Sequence, residues 1–245
     1  MTQLTVWQWL TTAASWQGED GIAHRLWEHV WISAASVVIA CLIALPVGIL
    51  LGHVGRGGVV AINLANAGRA IPTLGILILF AVSPLGLTVG TLIATLVIFA
   101  IPPILANAYV GVSTVDRDAK ESARGMGFSG GQVLRRVEVP LALPLMAAGV
   151  RTAGVQVVAT ATLAGYTNNG TLGQIVFRGF VVNLSYLVIG GAVLVAILAL
   201  LTALLLGLLQ RLVTPAGLRV GQRAPARDAS QLAAPAREVS ASTSG

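Results

Sequence analysis

The residues able to do chemistry in this chain are few, and most of them sit in one stretch. Asp116 to Glu138 carries Asp116, Arg117, Asp118, Lys120, Glu121, Arg124, Arg135, Arg136 and Glu138, and Val139-Pro140 follows. Ser113 or Asp118 is suited to cap a helix there, each with an acidic residue three positions later. Ala119, Ser122, Ala123 and Met126 then recur at helical spacing, giving a small-residue face that another protein can approach closely. Gly125 and Gly127 are expected to end that helix, because glycine accepts the left-handed conformation of a stop. Pro140 is expected to restart helix in a first turn, where its missing N–H costs nothing. Residue types alone leave two readings open: a docking helix for another protein, or a solvated surface loop.

Other chemistries are excluded. A nucleotide-binding loop needs Gly-x-x-x-x-Gly-Lys-Ser/Thr, and the only lysine, Lys120, lies between Ala119 and Glu121. The single cysteine, Cys41, rules out an internal disulfide and a cysteine-built metal site, and its apolar surroundings make it a small hydrophobe. The expectation is a non-enzymatic chain with no cofactor and no metal of its own. The net charge of +6 would suit nucleic acid, but the placement of the charges suits a lipid bilayer instead.

The elements that must position these residues are membrane spans. The 245 residues are 56% hydrophobic and 10% charged, against roughly 25% charged in an ordinary soluble domain. Five segments are long and apolar enough to cross: Val30 to Gly52, Val59 to Val82, Leu85 to Val110, Val139 to Gly165 and Leu184 to Leu209. Only helices satisfy their own backbone in lipid, so the fold class is an all-α membrane protein with five transmembrane helices. Placing the N-terminus outside puts eleven Lys and Arg residues on the inner side, among them Arg56, Arg117, Lys120, Arg124, Arg135, Arg136 and Arg211. Only Arg25 and Arg178 then remain outside, so the C-terminus belongs in the cytoplasm.

Three domains are expected. Residues 1–29 form an extracytoplasmic arm that lacks the pattern of a signal peptide. All five tryptophans (Trp7, Trp9, Trp16, Trp27 and Trp31) lie in the first 31 residues, which suits anchoring in the headgroup layer over specific docking. Residues 30–209 form the membrane domain. Residues 210–245, rich in Ala, Arg, Pro and Ser, read as a disordered tail.

Within the spans, polar residues are candidates for a translocation path. Thr152, Gln156 and Thr160 recur every four residues on one helical face, either lining a path for a polar solute or bonding to other helices. Arg69, just before Pro72, either lines an inner vestibule or snorkels to the surface, and Arg151 reads as snorkelling. Thr88, Thr91 and Thr95 make a similar stripe, and Asn107 follows a Pro102-Pro103 bend. Gly48 with Gly52, and Gly86 with Gly90, match the small-xxx-small packing pattern.

The charged stretch resembles the EAA motif of binding-protein-dependent ABC permeases: Glu-Ala-Ala, three residues, Gly, nine residues, then Ile-x-Leu-Pro. Glu121, Ser122, Ala123, Gly127, Val137, Val139 and Pro140 fall at the matching positions. The resemblance implies the type 1 ABC importer permease fold, with this segment as the cytoplasmic coupling helix. Glu121, Ser122, Ala123, Gly127, Val137 and Pro140 are then the ATPase-coupling residues. The implied partners are ATP-binding subunits holding ATP and magnesium, a second permease subunit and an extracytoplasmic binding protein, at the bacterial inner membrane. The run from Val30 to Leu209 is moreover similar to permeases for glycine betaine, choline and related osmoprotectants. That similarity lies in Arg69-Ala-Ile-Pro-Thr-Leu-Gly75, Arg124-Gly-Met-Gly127, Arg136-Val-Glu-Val-Pro-Leu-Ala-Leu-Pro144, Val150-Arg-Thr-Ala153 and Ala159-Thr-Ala-Thr-Leu-Ala164. It departs at Thr167-Asn-Asn-Gly-Thr-Leu-Gly173, a loop expected to face outward where a binding protein docks. The rival expectations are an amino-acid importer of the methionine type, a secondary transporter or osmotically gated channel, and a non-transporting membrane scaffold.

Overall fold

Apolar runs that must pair every backbone N–H without water fold as helices, and every regular element among the described residues is helical. The computed structural model describes residues 5–55, 58, 63, 72–167 and 170–214. Its elements are α1 (Val6–Thr11), a 3-10 turn (Ala13–Trp16), α2 (Ile22–Val54), α3 (Thr73–Val82), α4 (Val89–Ser113) and α5 (Arg117–Gly125). Then come α6 (Gly130–Val133), a π-helical turn (Leu134–Glu138), α7 (Val139–Thr160), a second 3-10 turn (Ala161–Thr167), α8 (Thr171–Val181) and α9 (Ser185–Val213).

Four helical runs are long and apolar enough to cross a membrane: α2, α4, the run from Gly130 to Tyr166, and α9. They coincide with four of the five expected spans. The remaining one, Val59 to Val82, is described only at Asn63 and from Pro72 onward. Pro72 has extended backbone and is the N-cap of α3, which begins directly after it. At 1.5 Å per residue α2 is about 50 Å long, well beyond the ~30 Å of a hydrocarbon core. It starts at Ile22, so the expected division between residues 29 and 30 falls inside this helix.

The core is organised around α4, which packs between α2 and α7. One seam explains the α2–α4 contact. Ser36, Ala40, Ala44, Gly48 and Gly52 recur every fourth residue and are all buried. A Cβ on Gly48 would lie 2.7 Å from the Ala108 Cβ, and one on Gly52 would lie 2.8 Å from the Val112 Cβ. Two helices can approach this closely only through small side chains. The Gly86–Gly90 pair does not act this way. Gly86 sits in a turn at φ +64° with open space around it, so its role is conformational. Helix α9 is peripheral: of its 29 residues only Gly190 and Gly191 are buried.

The bundle has two distinct ends. One gathers the arm, α8 and the start of α9; the other gathers the end of α2 with α5 and the π turn. At the first, Trp9 is buried against Gly190 and Tyr186, and the Trp16 indole N–H donates to the Leu10 carbonyl at 2.8 Å. Trp7, Trp27 and Trp31 remain exposed, as interfacial anchors would be. The expectation of surface anchoring thus needs correction at Trp9. Its ring fills the hollow left by a glycine in α9, and burying that much apolar area outweighs the headgroup preference.

The sequence also did not lead us to expect α8. Gly170, at φ +79°, is buried, and so are Thr171, Leu172 and Gly173. The second half of the stretch Thr167 to Gly173 is therefore not an open loop: it starts a helix packed on α2, α9 and the 3-10 turn. Asn168 and Asn169 lie outside the described residues. His29 holds this corner together. Fully buried in α2, its Nδ1 accepts from the Leu172 N–H at 3.3 Å, which leaves Nε2–H to donate to the Val158 carbonyl at 2.9 Å. Replacing His29 with leucine orphans both groups. We expect a loss on the order of 2–4 kcal/mol, read as a lower thermal midpoint of the detergent-solubilised protein.

Candidate functional site

Helix α5 is built by local rules. Asp116 is its N-cap, and the carboxylate accepts from the Asp118 N–H at 3.0 Å. Neither expected cap serves. Ser113 still belongs to α4 and donates to the Val110 carbonyl at 3.2 Å, while Asp118 lies inside the first turn. The far end is a Schellman stop: Phe128 N–H donates to the Ala123 carbonyl at 3.1 Å and Gly127 N–H to the Arg124 carbonyl at 2.9 Å. Gly127 carries the left-handed conformation at φ +87°. Gly125 is the last helical residue and does not need it.

The expected docking face splits in two. Ala123 is buried and Ala119 half-buried, packed toward the chain itself, whereas Ser122 is exposed and Met126 is 70% exposed. Positions 119 and 123 share one side of the helix and 122 and 126 the next, about 100° away. Glu121 also faces out, accepting from Arg117 Nε at 2.8 Å. Nothing lies within 4 Å of where a Cβ would stand on Gly125, Gly127 or Gly131. The tip of this segment is therefore a bare methionine between glycines, with the exposed Arg124, Arg135 and Arg136 nearby in sequence.

Pro140 does not restart the helix. A capping box of Ser129 and Gln132 does so at Gly130. The coil then widens into the π turn, closed by Val139 N–H to the Leu134 carbonyl, just ahead of the proline ring. A proline inside a helix lacks one N–H and crowds the preceding turn, and a π turn relieves both. Val137 and Pro140 are half-buried.

Sequence reasoning missed three residues here. Glu138 is fully buried, accepts from His53 Nδ1 at 2.5 Å and lies 3.4 Å from Lys120 Nζ. Lys120 Nζ also donates to the Val112 carbonyl at 3.2 Å. The available signal was a lone acid inside the apolar Val137-Glu138-Val139 step and a lone lysine. Nothing in spacing links either to His53, 85 residues before Glu138.

The candidate path residues are scattered. Thr152 is exposed and Gln156 and Thr160 are half-exposed, about 100° round α7 from buried Ala153 and Val157 and nearly opposite buried Gly154 and Val158. The Thr152 hydroxyl donates to its own helix at the Ala148 carbonyl, 3.0 Å away. Asn107 donates to the Pro103 carbonyl at 2.8 Å and packs where Gly149 leaves room, in the α4–α7 seam. The other threonine stripe serves α4 itself: Thr88 and Thr91 form its capping box, and Thr95 bonds the Thr91 carbonyl. Arg151 is exposed and its guanidinium lies over Gly207, near the α9 C-terminus. Arg69 lies outside the described residues.

At the opposite end a groove of about 680 Å³ is lined by Trp9, Asp20, Arg25, Phe177, Arg178 and Tyr186, among others. Asp20 accepts from Arg25 Nη2 at 2.7 Å and lies 3.7 Å from Arg178 Nη1. The Arg25 hydrogen bond holds the Asp20 carboxyl below its ordinary range. The pair therefore persists as pH falls past the point where a free aspartate protonates.

Comparison with known proteins places this architecture. Residues 44–216 match the family described as "Binding-protein-dependent transport system inner membrane component". The chain is 35% identical to the glycine betaine/carnitine/choline transport system permease protein OpuCB of Bacillus subtilis, covering 81% of this chain and 91% of that one. It is 39% identical to the carnitine transport permease protein OpuCB of Listeria monocytogenes, covering 80% and 89%. To the osmoprotectant import permease protein OsmW of Salmonella typhimurium it is 29% identical, covering 81% and 94%. A chain of the inward-facing MetNI methionine ABC transporter shares the fold, with a TM-score of 0.69 at 24% identity over 79% of this chain and 96% of that chain. The helical bundle with its charged loop between the α4 and α7 spans is thus that of a known group: the chain belongs to the family of binding-protein-dependent transport system inner membrane components.

Proposed function

We propose that this chain is the permease subunit of an ATP-driven importer of osmoprotectants of the glycine betaine, choline and carnitine class. The observation that carries the substrate class is the similarity, over about four fifths of the chain, to permeases named for those solutes. Energy comes from separate ATP-binding subunits, a reading supported by the absence of any phosphate loop from the sequence. Those subunits seat on the exposed Glu121, Ser122 and Gly127, with buried Ala123 holding α5 against the bundle and Val137 and Pro140 anchoring the segment to α7. The exposed Met126 tip supports this, because a large apolar side chain held out between glycines is suited to a partner's socket.

A second permease, identical or homologous, completes a path along the uncovered Thr152, Gln156 and Thr160 face. A binding protein delivers solute on the outer side. The end bearing α5 faces the cytoplasm and the Trp-rich end faces out. Among the described residues Arg117, Lys120, Arg124, Arg135, Arg136 and Arg211 lie in loops or helix ends of the former, and Arg25 and Arg178 in the latter. The outer arm precedes Ile22, and the membrane domain runs from there to Val213 at the end of α9.

The test is uptake of labelled choline, glycine betaine and carnitine by osmotically stressed cells with and without this gene, with methionine as competitor. Deletion is expected to remove saturable uptake of at least one of the three, uncompeted by methionine. Competition by methionine would move the chain to an amino-acid importer. Uptake that survives loss of the ATPase would point to a secondary transporter or channel instead.

A further inference from the structure

The buried carboxylate of Glu138 joins four elements at one point. It faces His53 at the end of α2 and Lys120 on α5, Lys120 reaches the last turns of α4 at Val112, and Glu138 itself leads into α7. A buried carboxylate is costly, and well-packed apolar residues in place of the whole cluster would stabilise the bundle as well or better, so stability alone gives little reason for it. What the cluster does have is reach. Around it the chain has few side-chain holds: nothing lies within 4 Å of where a Cβ would stand on Gly125, Gly127 or Gly131, and in α5 only Ala123 is fully buried. A push on the Met126 tip would bend those glycines unless something fixed α5 to the spans.

We propose that Glu138 is a positioning residue for energy coupling. Its carboxylate ties α5, through Lys120, to α2, through His53, so that displacement of the tip moves α2 and α7 together. This rests on the coupling role given to α5 above. The ion pair supplies direction as well as attraction, because each oxygen of one rigid carboxylate engages a different element. Without it, motion of the ATPase is absorbed in the glycine-rich loop and hydrolysis runs without transport.

The test uses the complete importer, permease with its ATPase and binding protein, in proteoliposomes, reading solute uptake and ATP hydrolysis in the same preparation. Three variants are compared: Glu138→Gln, Lys120→Met, and the two combined. Hydrolysis is expected to stay within about twofold of the unaltered complex while uptake per ATP falls roughly tenfold, the scale of a coupling change at a site between two others. The combined variant leaves no unpaired charge between the two positions. It is expected to recover thermal stability relative to the single changes but not uptake per ATP. A merely structural role would restore both together. The proposal is overturned if the combined variant transports normally, or if uptake and hydrolysis fall in proportion in all three. Failure of the unaltered permease to bind its ATPase would overturn the coupling reading as well. Normal binding with normally coupled variants would overturn the tie alone.

Discussion

Replacing Gly127 with valine is expected to cut solute uptake roughly tenfold or more while leaving membrane insertion intact, whereas Gly127→Asn is expected to retain most of it. The residue lies at φ +87° at the end of α5, with nothing within 4 Å of where a Cβ would stand. Steric clash with neighbours is therefore not the issue; backbone strain is. A β-branched side chain in the left-handed region costs about 1–2 kcal/mol or more, and asparagine tolerates that region far better. The cheapest relief is to undo the Schellman stop, which frees the Ala123 and Arg124 carbonyls and re-aims Met126. Initial uptake rates and the amount of ATPase that co-purifies with each variant check this. Equal transport by the valine variant would show that the geometry of this turn has no part in coupling.

The largest structural effect is expected at Gly173. A side chain there would overlap the Thr162 carbonyl, and the same corner brings Gly165 against the Gly173 carbonyl. Both obstacles are backbone, so no rotamer change makes room. Gly173→Val should cost more than the ~1–3 kcal/mol of ordinary overpacking, because the α7–α8 corner must open. It would also pull Leu172 away from His29. Gly131→Ala is the contrasting case: it lies in α6 with open space and should be neutral or stabilise by roughly 0.5–1 kcal/mol. Thermal melting of the detergent-solubilised proteins, followed by size exclusion, separates the two. A Gly173→Val protein that melts with the unaltered one would contradict the close approach.

These two glycines also show what the sequence could and could not reveal. Gly127 was legible, because a helix-capping pattern with a glycine stop is a local rule, and the EAA-like spacing pointed to the same residue. The spans were legible for a similar reason: hydropathy needs no partner. The seam of Ser36, Ala40, Ala44, Gly48 and Gly52 was half-read, from its two glycines alone, since serine and alanine do not stand out in a chain with 28 glycines. Gly173 was not legible, because its constraint comes from Thr162, and only the folded corner brings them together. The same holds for His29, whose partners lie 129 and 143 residues away, and for the His53–Glu138 contact, 85 residues apart. Pro140 was misplaced by treating a local rule as sufficient. First-turn proline is favourable, but Ser129 and Gln132 had already started the helix, and a π turn made room for the ring. Thr88 falls on a polar stripe in the sequence, but its environment makes it a cap.

The central claim is that the segment around Met126 seats in an ATP-hydrolysing partner on the cytoplasmic side. The lone cysteine makes a direct measurement possible: Cys41 is half-buried in α2 and can be removed as Cys41→Ala. Met126→Cys in that background, with cysteines placed one at a time along the partner ATPase, is then cross-linked in native membranes. A covalent permease–ATPase product is predicted at Met126, with none from a Ser36→Cys control buried in the α2–α4 seam. No product from Met126→Cys with the ATPase present, or labelling of its thiol by an impermeant reagent added outside intact cells, would contradict the account.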